Sequence, residues 1–240
     1  MCTATYFPLS TTGFILTHSR DEKVIRPAAL APKAFRIGDS DVTFPQDPQG
    51  QGTWIATSAD TTVCLLNGAF TAHLPKPPYK HSRGLVIPHF FTYPSVDEFA
   101  EAYDFCSIEP FTLLVAERGR LVELRWNGKR LFTHEKDPER PHIWSSVTLY
   151  THDVIEKRED WFRDWQQQHP APSVEAIRWF HQHAGDGDRE NSIRMNRQDA
   201  LLTLSLTSII HHDGQADLFY EDFTQDLFTH QTIRPSYATA

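Results

Sequence analysis

Cys2-Thr3-Ala4-Thr5-Tyr6-Phe7-Pro8 and Phe14-Ile15-Leu16-Thr17-His18-Ser19, set around Ser10-Thr11-Thr12-Gly13, decide how this chain is read. Two β-branched and aromatic runs, 2–8 and 13–19, flank a polar turn, which predicts an opening β-hairpin. The first residue of that hairpin is a cysteine directly behind Met1. Removal of Met1 puts a thiol and a free α-amine on one carbon. The α-amine titrates at about 7.7–8.0, close enough to neutrality to take the thiol proton without another side chain. A thiol attacks only as its thiolate, so Cys2 is the candidate nucleophile and its own amine the candidate base. The plain alternative is a cysteine that happens to come second.

Outward from the hairpin, Pro27, Pro32, Pro45 and Pro48, with Gly50 and Gly52, mark a long loop region holding one strand. Trp54–Ser58 and Thr62–Leu66 form the next strand pair, and Pro75, Pro77 and Pro78 stiffen a surface loop. Residues 83–92 begin a helix that Pro88 interrupts. Ser95-Val96-Asp97-Glu98 matches a capping box, with Phe99, Ala102 and Tyr103 at helical spacing behind it. Phe111–Ala116 and Leu121–Trp126 are apolar strands, and Asn127-Gly128 is a hairpin signal leading into Arg130–Thr133. An amphipathic helix runs from Asp153 to Gln168, and a second from Ser173 to Ala184 ends at Gly185. Leu201–Ile210, an Asp213-Gly214 turn and Ala216–Tyr220 close the chain as a hairpin. Hairpins with two inserted helices give a layered α+β architecture, and the short connections exclude a purely parallel sheet. No linker, charge block or repeat divides the 240 residues, so one domain spanning 1–240 is expected.

Composition narrows the partners. The net charge is −8 at pH 7, without a Lys/Arg cluster carrying interleaved aromatics, which argues against nucleic acid and against an anionic membrane surface. Cys2, Cys64 and Cys106 are far apart with no CxxC pair, as expected of a protein kept reduced. Pro8 and the Ser-Thr-Thr-Gly turn break up the N-terminal apolar stretch, and nothing elsewhere approaches the ~20 apolar residues of a membrane span. A cytoplasmic protein is the expectation.

Ser19-Arg20-Asp21-Glu22 ends the second strand, across the hairpin from Cys2. Arg20 there favours the thiolate, and Asp21 holds or orients the amine. Strand alternation lets only one of the two face Cys2. A solvated charged turn is the ordinary fate of such a run. Asn67-Gly68 follows the strand ending at Leu66; its amide can donate to a developing oxyanion, although Asn-Gly is more commonly only a turn. Gly52-Thr53-Trp54 reads as a tight turn with a packing tryptophan, and Ser82-Arg83-Gly84 as an anion contact at a helix start. The histidines give no metal site. His181 and His183 project about 200° apart on a helix, His211 and His212 face opposite ways on a strand, and no carboxylate cluster at helical spacing is evident. GxSxG, Walker and GxGxxG signatures are absent, and no cofactor is expected.

Met1-Cys2 opening a strand, Arg20-Asp21-Glu22 ending the next and Arg26-Pro27 beyond them together resemble the NRDE family, the homologues of transport and Golgi organisation protein 2. Gly52-Thr53-Trp54 is similar to the family's Gly-Gly-Thr-Trp, Asn67 to its asparagine after the following strand, and Arg83-Gly84-x-Val86 to its Arg-Gly-x-x-Val stretch. The match is dense over residues 1–90. Ser145-Ser146, Thr207-Ser208-Ile209 and the Asp-Gly hairpin extend it without being specific. The resemblance implies an N-terminal nucleophile hydrolase fold, a four-layer αββα sandwich, similar to the cysteine enzymes that cleave linear amides. By that similarity Cys2 is the nucleophile, Arg20 and Asp21 its polar shell, and Asn67 an oxyanion donor; Arg83 and Ser146 are the expected substrate-binding residues. The chain departs from the family where Ser19 replaces the asparagine of Asn-Arg-Asp-Glu and Gln51 the first glycine before Thr-Trp. Ser146 stands where a second asparagine is expected, and Arg20 and Asp21 are adjacent rather than separated.

Three functions follow from this reading. The first is a cysteine amidohydrolase acting on a small linear amide. The second is a non-enzymatic carrier or chaperone of haem or a lipid, suggested by family association and by the aromatic and histidine content. The third is a catalytically inactive, trafficking-related protein.

Overall fold

In the computed structural model, residues 2–10, 12–117 and 119–235 are described. The chain is α+β, with two seven-stranded sheets whose neighbouring strands all run antiparallel. The first sheet has the order β10 (His142–Ser145), β1 (Cys2–Pro8), β2 (Phe14–Lys23), β12 (Leu201–His212), β13 (Gln215–Asp222), β14 (Leu227–Ile233), with β11 (Asn196–Arg197) also pairing with β12. The second is a meander in chain order: β3 (Leu30–Ile37), β4 (Ser40–Gln46), β5 (Ile55–Thr57), β6 (Thr61–Asn67), β7 (Phe111–Glu117), β8 (Arg120–Trp126) and β9 (Leu131–Lys136). Among the described residues four α-helices accompany them: α1 (Val86–Phe90), entered through a 3₁₀ turn at Arg83–Leu85, then α2 (Val96–Ala102), α3 (His152–Gln168) and α4 (Val174–His183).

Three apolar cores order these elements. Ala4, Tyr6 and Leu16 of the first sheet meet Ile55, Cys64, Leu66 and Leu114 of the second. The alternate residues Phe7 and Ile15 turn the other way, onto Phe162, Trp165, Ile177 and Phe180 of α3 and α4. On the far side of the second sheet, Val63, Leu113 and Val122 pack against Val86, Ile87, Phe90 and Phe99 of α1 and α2. Each sheet is therefore covered on both faces, which is why β1, β6 and β7 are almost continuously buried.

The opening hairpin forms with Cys2 opposite Arg20 and Ala4 opposite His18. The second strand runs further than its apolar residues suggest. Arg20 and Asp21 are inside β2, at 5% and 0% exposure, rather than in a solvated turn. The long proline-rich region holds two strands instead of one. β3 is an edge strand whose register shifts between Leu30 and Lys33, a place that tolerates Pro32. Strands β10, β11 and β14 are additional to the sequence reading; β14 is an outer strand with alternating burial and no strong apolar run. Residues 83–92 contain one short α-helix with Pro88 in its first turn, where the missing N–H costs nothing. Ser95 Oγ accepts from the Glu98 N–H at 3.2 Å and Ser173 Oγ from Ala176 N–H at 3.3 Å, as the capping signals require. No helix among the described residues is long and apolar enough to cross a membrane.

Candidate functional site

The open ends of β1, β2 and β6 enclose a small pocket of about 110 Å³ with the 52–54 and 82–84 segments. Cys2, Arg20, Asn67 and Arg83 line it together, although they come from four separate stretches of the sequence. Cys2 and Arg20 are direct cross-strand partners, so their side chains share a face of the sheet. Cys2 is 2% exposed. Burial is the largest influence on its thiol and holds its pKa above the ordinary value, while a hydrogen bond from the Asp21 backbone pulls the other way. A thiolate therefore forms here only with a base at hand. Cys64 on β6 is fully buried, and burial followed by the charge of Cys2 pushes its thiol well up.

Arg20 lays its guanidinium 4.2 Å from the ring centroid of Trp54. Trp54 belongs to the Gly-Thr-Trp segment, which is fixed by a close backbone contact. The Thr53 N–H donates to the Gly84 carbonyl at 3.0 Å, and Gly52 lies directly against Gly84. Arg83, beside that contact, donates Nη1 to the Pro110 carbonyl at 3.2 Å and pairs Nη2 with Glu109 at 3.1 Å. The pocket also includes Glu22, Arg26 and Asp47. Arg26 Nε donates to Asp47 at 3.0 Å, and Nη1 lies 3.5 Å from Glu22. Sequence reasoning did not single out Asp47; it sits in the proline-rich region, and no local pattern ties it to Arg26.

Two expected site residues stand outside the pocket lining. Asp21 points its carboxylate to the opposite face of β2, where Tyr150 Oη donates to it at 2.7 Å and Thr203 Oγ1 at 2.6 Å. Burial pushes that carboxyl up, against Arg158 and the two hydroxyl donors. Strand alternation chose Arg20 for the pocket and turned the Asp21 carboxylate away from it. Ser146 donates its N–H to the Cys2 carbonyl at 2.9 Å and its Oγ to the Asn67 carbonyl at 2.8 Å. It ties the ends of β1 and β6 together from behind. Gly68, which follows Asn67, has φ +83°, and a Cβ there would meet Val147 Cγ2 at 2.6 Å, so this turn also requires its glycine.

The Ser19 departure does not reach the pocket either. Its Oγ is 2.8 Å from His181 Nδ1, and His181 Nε2 is 2.8 Å from Thr5 Oγ1, all on the α4 side of the sheet. His183 is exposed and stacked on Trp179, whereas His211 bonds Thr57 and Thr62 between the sheets. One group of carboxylate and imidazole atoms among the described residues falls within 4.8 Å, at His152, Asp153 and Glu156. This i, i+1, i+4 grouping is a carboxylate cluster at helical spacing that the sequence reading did not register. All three residues are exposed at the start of α3, and none lines the pocket. Met1, on which the free amine of Cys2 depends, lies outside the described residues.

Residues 1–213 match a family model described as Transport and Golgi organisation 2, the family that the sequence resembles. No curated protein matches the chain. The matched range takes in β1 through β12 and every residue lining the pocket.

Proposed function

This chain belongs to the Transport and Golgi organisation 2 family, and from that premise we propose that it is a cysteine amidohydrolase of the N-terminal nucleophile type, acting on a small linear amide. The observation that carries the reading is the meeting of Cys2, Arg20 and Asn67 in one pocket at the strand ends. Helices outside, two sheets inside and a cysteine opening an inner strand support the αββα sandwich of that hydrolase class.

In the proposed reaction Met1 is first removed. Cys2 Sγ then attacks the substrate carbonyl carbon while its proton passes to the Cys2 α-amine. The Asn67 amide donates to the oxyanion. The C–N bond breaks as the α-ammonium returns its proton to the departing amine, leaving a thioester on Cys2. Water hydrolyses the thioester, releasing the acid and restoring the thiol. Burial opposes the thiolate in the resting enzyme, so an amine on the same residue is the economical base. Asp21 and Ser146 act as positioning residues. One holds β2 and the other holds the Cys2 and Asn67 carbonyls.

The pocket volume of about 110 Å³ is well under the ~300–1,000 Å³ of drug-sized ligand sites. It suits a small amide better than haem or an acyl chain, so the carrier reading gains nothing at this pocket. The test begins with the intact mass of the purified protein, which should lack one methionine. A screen of small linear amides should then find turnover that Cys2→Ala abolishes with little loss of stability. Quantitative retention of Met1, or undiminished hydrolysis by Cys2→Ala, overturns the proposal.

A further inference from the structure

Three arginines line the pocket, and two of them are spoken for. Arg26 is held by Asp47 and Glu22, and Arg83 by Glu109 and the Pro110 carbonyl. Arg20 is different. It is 5% exposed, lies flat on Trp54, and makes no hydrogen bond or ion pair among the described residues. A guanidinium carries five N–H donors in a rigid fork. Burying that fork without an acceptor is costly, and the indole face compensates only part of the loss. The donors at its edge have no acceptor among the described residues, and the pocket they border also contains the Cys2 thiol.

We infer that this pocket receives its substrate through a carboxylate, taken beside Cys2 by the Arg20 fork, which has no acceptor among the described residues. The proposal rests on the hydrolase reading for what Cys2 does to the ligand, but acid binding stands on the geometry of Arg20. A cavity of about 110 Å³ admits a carboxylate with a short stem. The substrate class is thus a linear amide with a free acid close to the scissile bond. Planar, two-pronged acceptors such as carboxylates are the natural complement of an arginine fork.

Two alkylating reagents of nearly the same shape, iodoacetate and iodoacetamide, test this directly, with Cys2 modification read by peptide mass in a Cys106→Ser background. The ratio of the two rates at Cys2 is compared with that of 2-mercaptoethanol in the same buffer. Thiolate activation cancels in the ratio, whereas an anion site does not. The expected ratio is about tenfold above the free thiol, the size of one charge-assisted hydrogen-bonded contact. It should fall to the free-thiol value in Arg20→Gln and only partway in Arg20→Lys, which keeps the charge without the fork. On the unmodified chain, propionate should slow iodoacetamide labelling of Cys2 and propionamide should not, a readout that survives if the variants fail to fold. A free-thiol ratio in the parent protein, a preference that survives Arg20→Gln, or no labelling by either reagent overturns the proposal. Acid preference without any amide turnover removes the hydrolase reading and leaves the acid site. Turnover of neutral amides without acid preference does the reverse.

Discussion

Gly52 and Gly84 meet backbone to backbone: a Cβ built on Gly52 would lie 2.3 Å from the Gly84 carbonyl carbon and 2.7 Å from the Leu85 nitrogen. This contact brings the Trp54 face that carries Arg20 next to the 3₁₀ turn that carries Arg83. The proximity of two pocket arginines therefore depends chiefly on the missing side chain of Gly52.

Gly52→Ala should accordingly destabilise the protein by about 1–3 kcal/mol, the usual cost of forcing atoms into a filled site. It should also speed alkylation of Cys2, which is 2% exposed, because the two walls of its pocket must part. Gly84→Ala should be milder, since a Cβ there meets its nearest neighbours at 3.1–3.4 Å. Urea denaturation of both variants checks the order. Equal midpoints would mean that the contact yields freely.

Ser146 links the two strand ends of the pocket through the Cys2 and Asn67 carbonyls. Ser146→Ala keeps the first bond, which uses the backbone, and loses the second. The expected loss is about 1 kcal/mol, or a melting point roughly 2–4 °C lower. Once an amide substrate is in hand, kcat should fall more than KM rises, because Asn67 is misplaced while the pocket remains. Unchanged kcat would reduce Ser146 to a purely structural tie.

The elements that the sequence announces are those with a local signature. Ser95 and Ser173 cap helices, Asn127-Gly128 turns a hairpin, and Cys2–Pro8 and Phe14–Ser19 pair as their apolar runs require. Strand alternation also foretold that Arg20 and Asp21 would part. What escaped depends on long-range pairing. β14 is half exposed and is held by β13, and Asp47 reaches Arg26 only because β3 and β4 fold back. Ser146 was placed at the site by resemblance, but its contacts with Cys2 and Asn67 arise from β10 pairing with β1, which no local pattern predicts.

Arg158 of α3 is fully buried, with Nη1 2.6 Å from Thr3 Oγ1, Nη2 2.6 Å from the Ser192 carbonyl, and the guanidinium 3.5 Å from the Tyr150 ring centroid. Tyr150 in turn donates to Asp21. Arg158→Met should cost about 3–5 kcal/mol, because it removes the cation that offsets a buried carboxylate. Adding Asp21→Asn should recover part of that loss, giving a double-mutant coupling above ~0.5 kcal/mol. Strictly additive urea midpoints would show that Arg158 and Asp21 do not act on each other.

His181 sets a pH limit on the fold. It is buried between Thr5 and Ser19, and burial, then Arg178 and Arg158, pull its pKa down to about 3 from 6.5. The folded protein thus keeps the ring neutral, while the unfolded chain takes up a proton below 6.5. With more protons bound in the unfolded state, stability falls as pH drops from 6.5 toward 3, at up to ~1.4 kcal/mol per pH unit for this one group. Above 6.5 the ring contributes no pH dependence. His211, pulled down to about 4 by burial, adds to the same slope over a shorter window. His181→Gln offers Thr5 and Ser19 a neutral amide that does not titrate. It should flatten the loss of stability between pH 6.5 and 4.5 by about one proton's worth, whatever offset it introduces at pH 7.5. Urea denaturation at pH 4.5, 5.5, 6.5 and 7.5 measures both slopes. Parallel curves for the parent and the variant would mean that His181 is protonated in the folded protein.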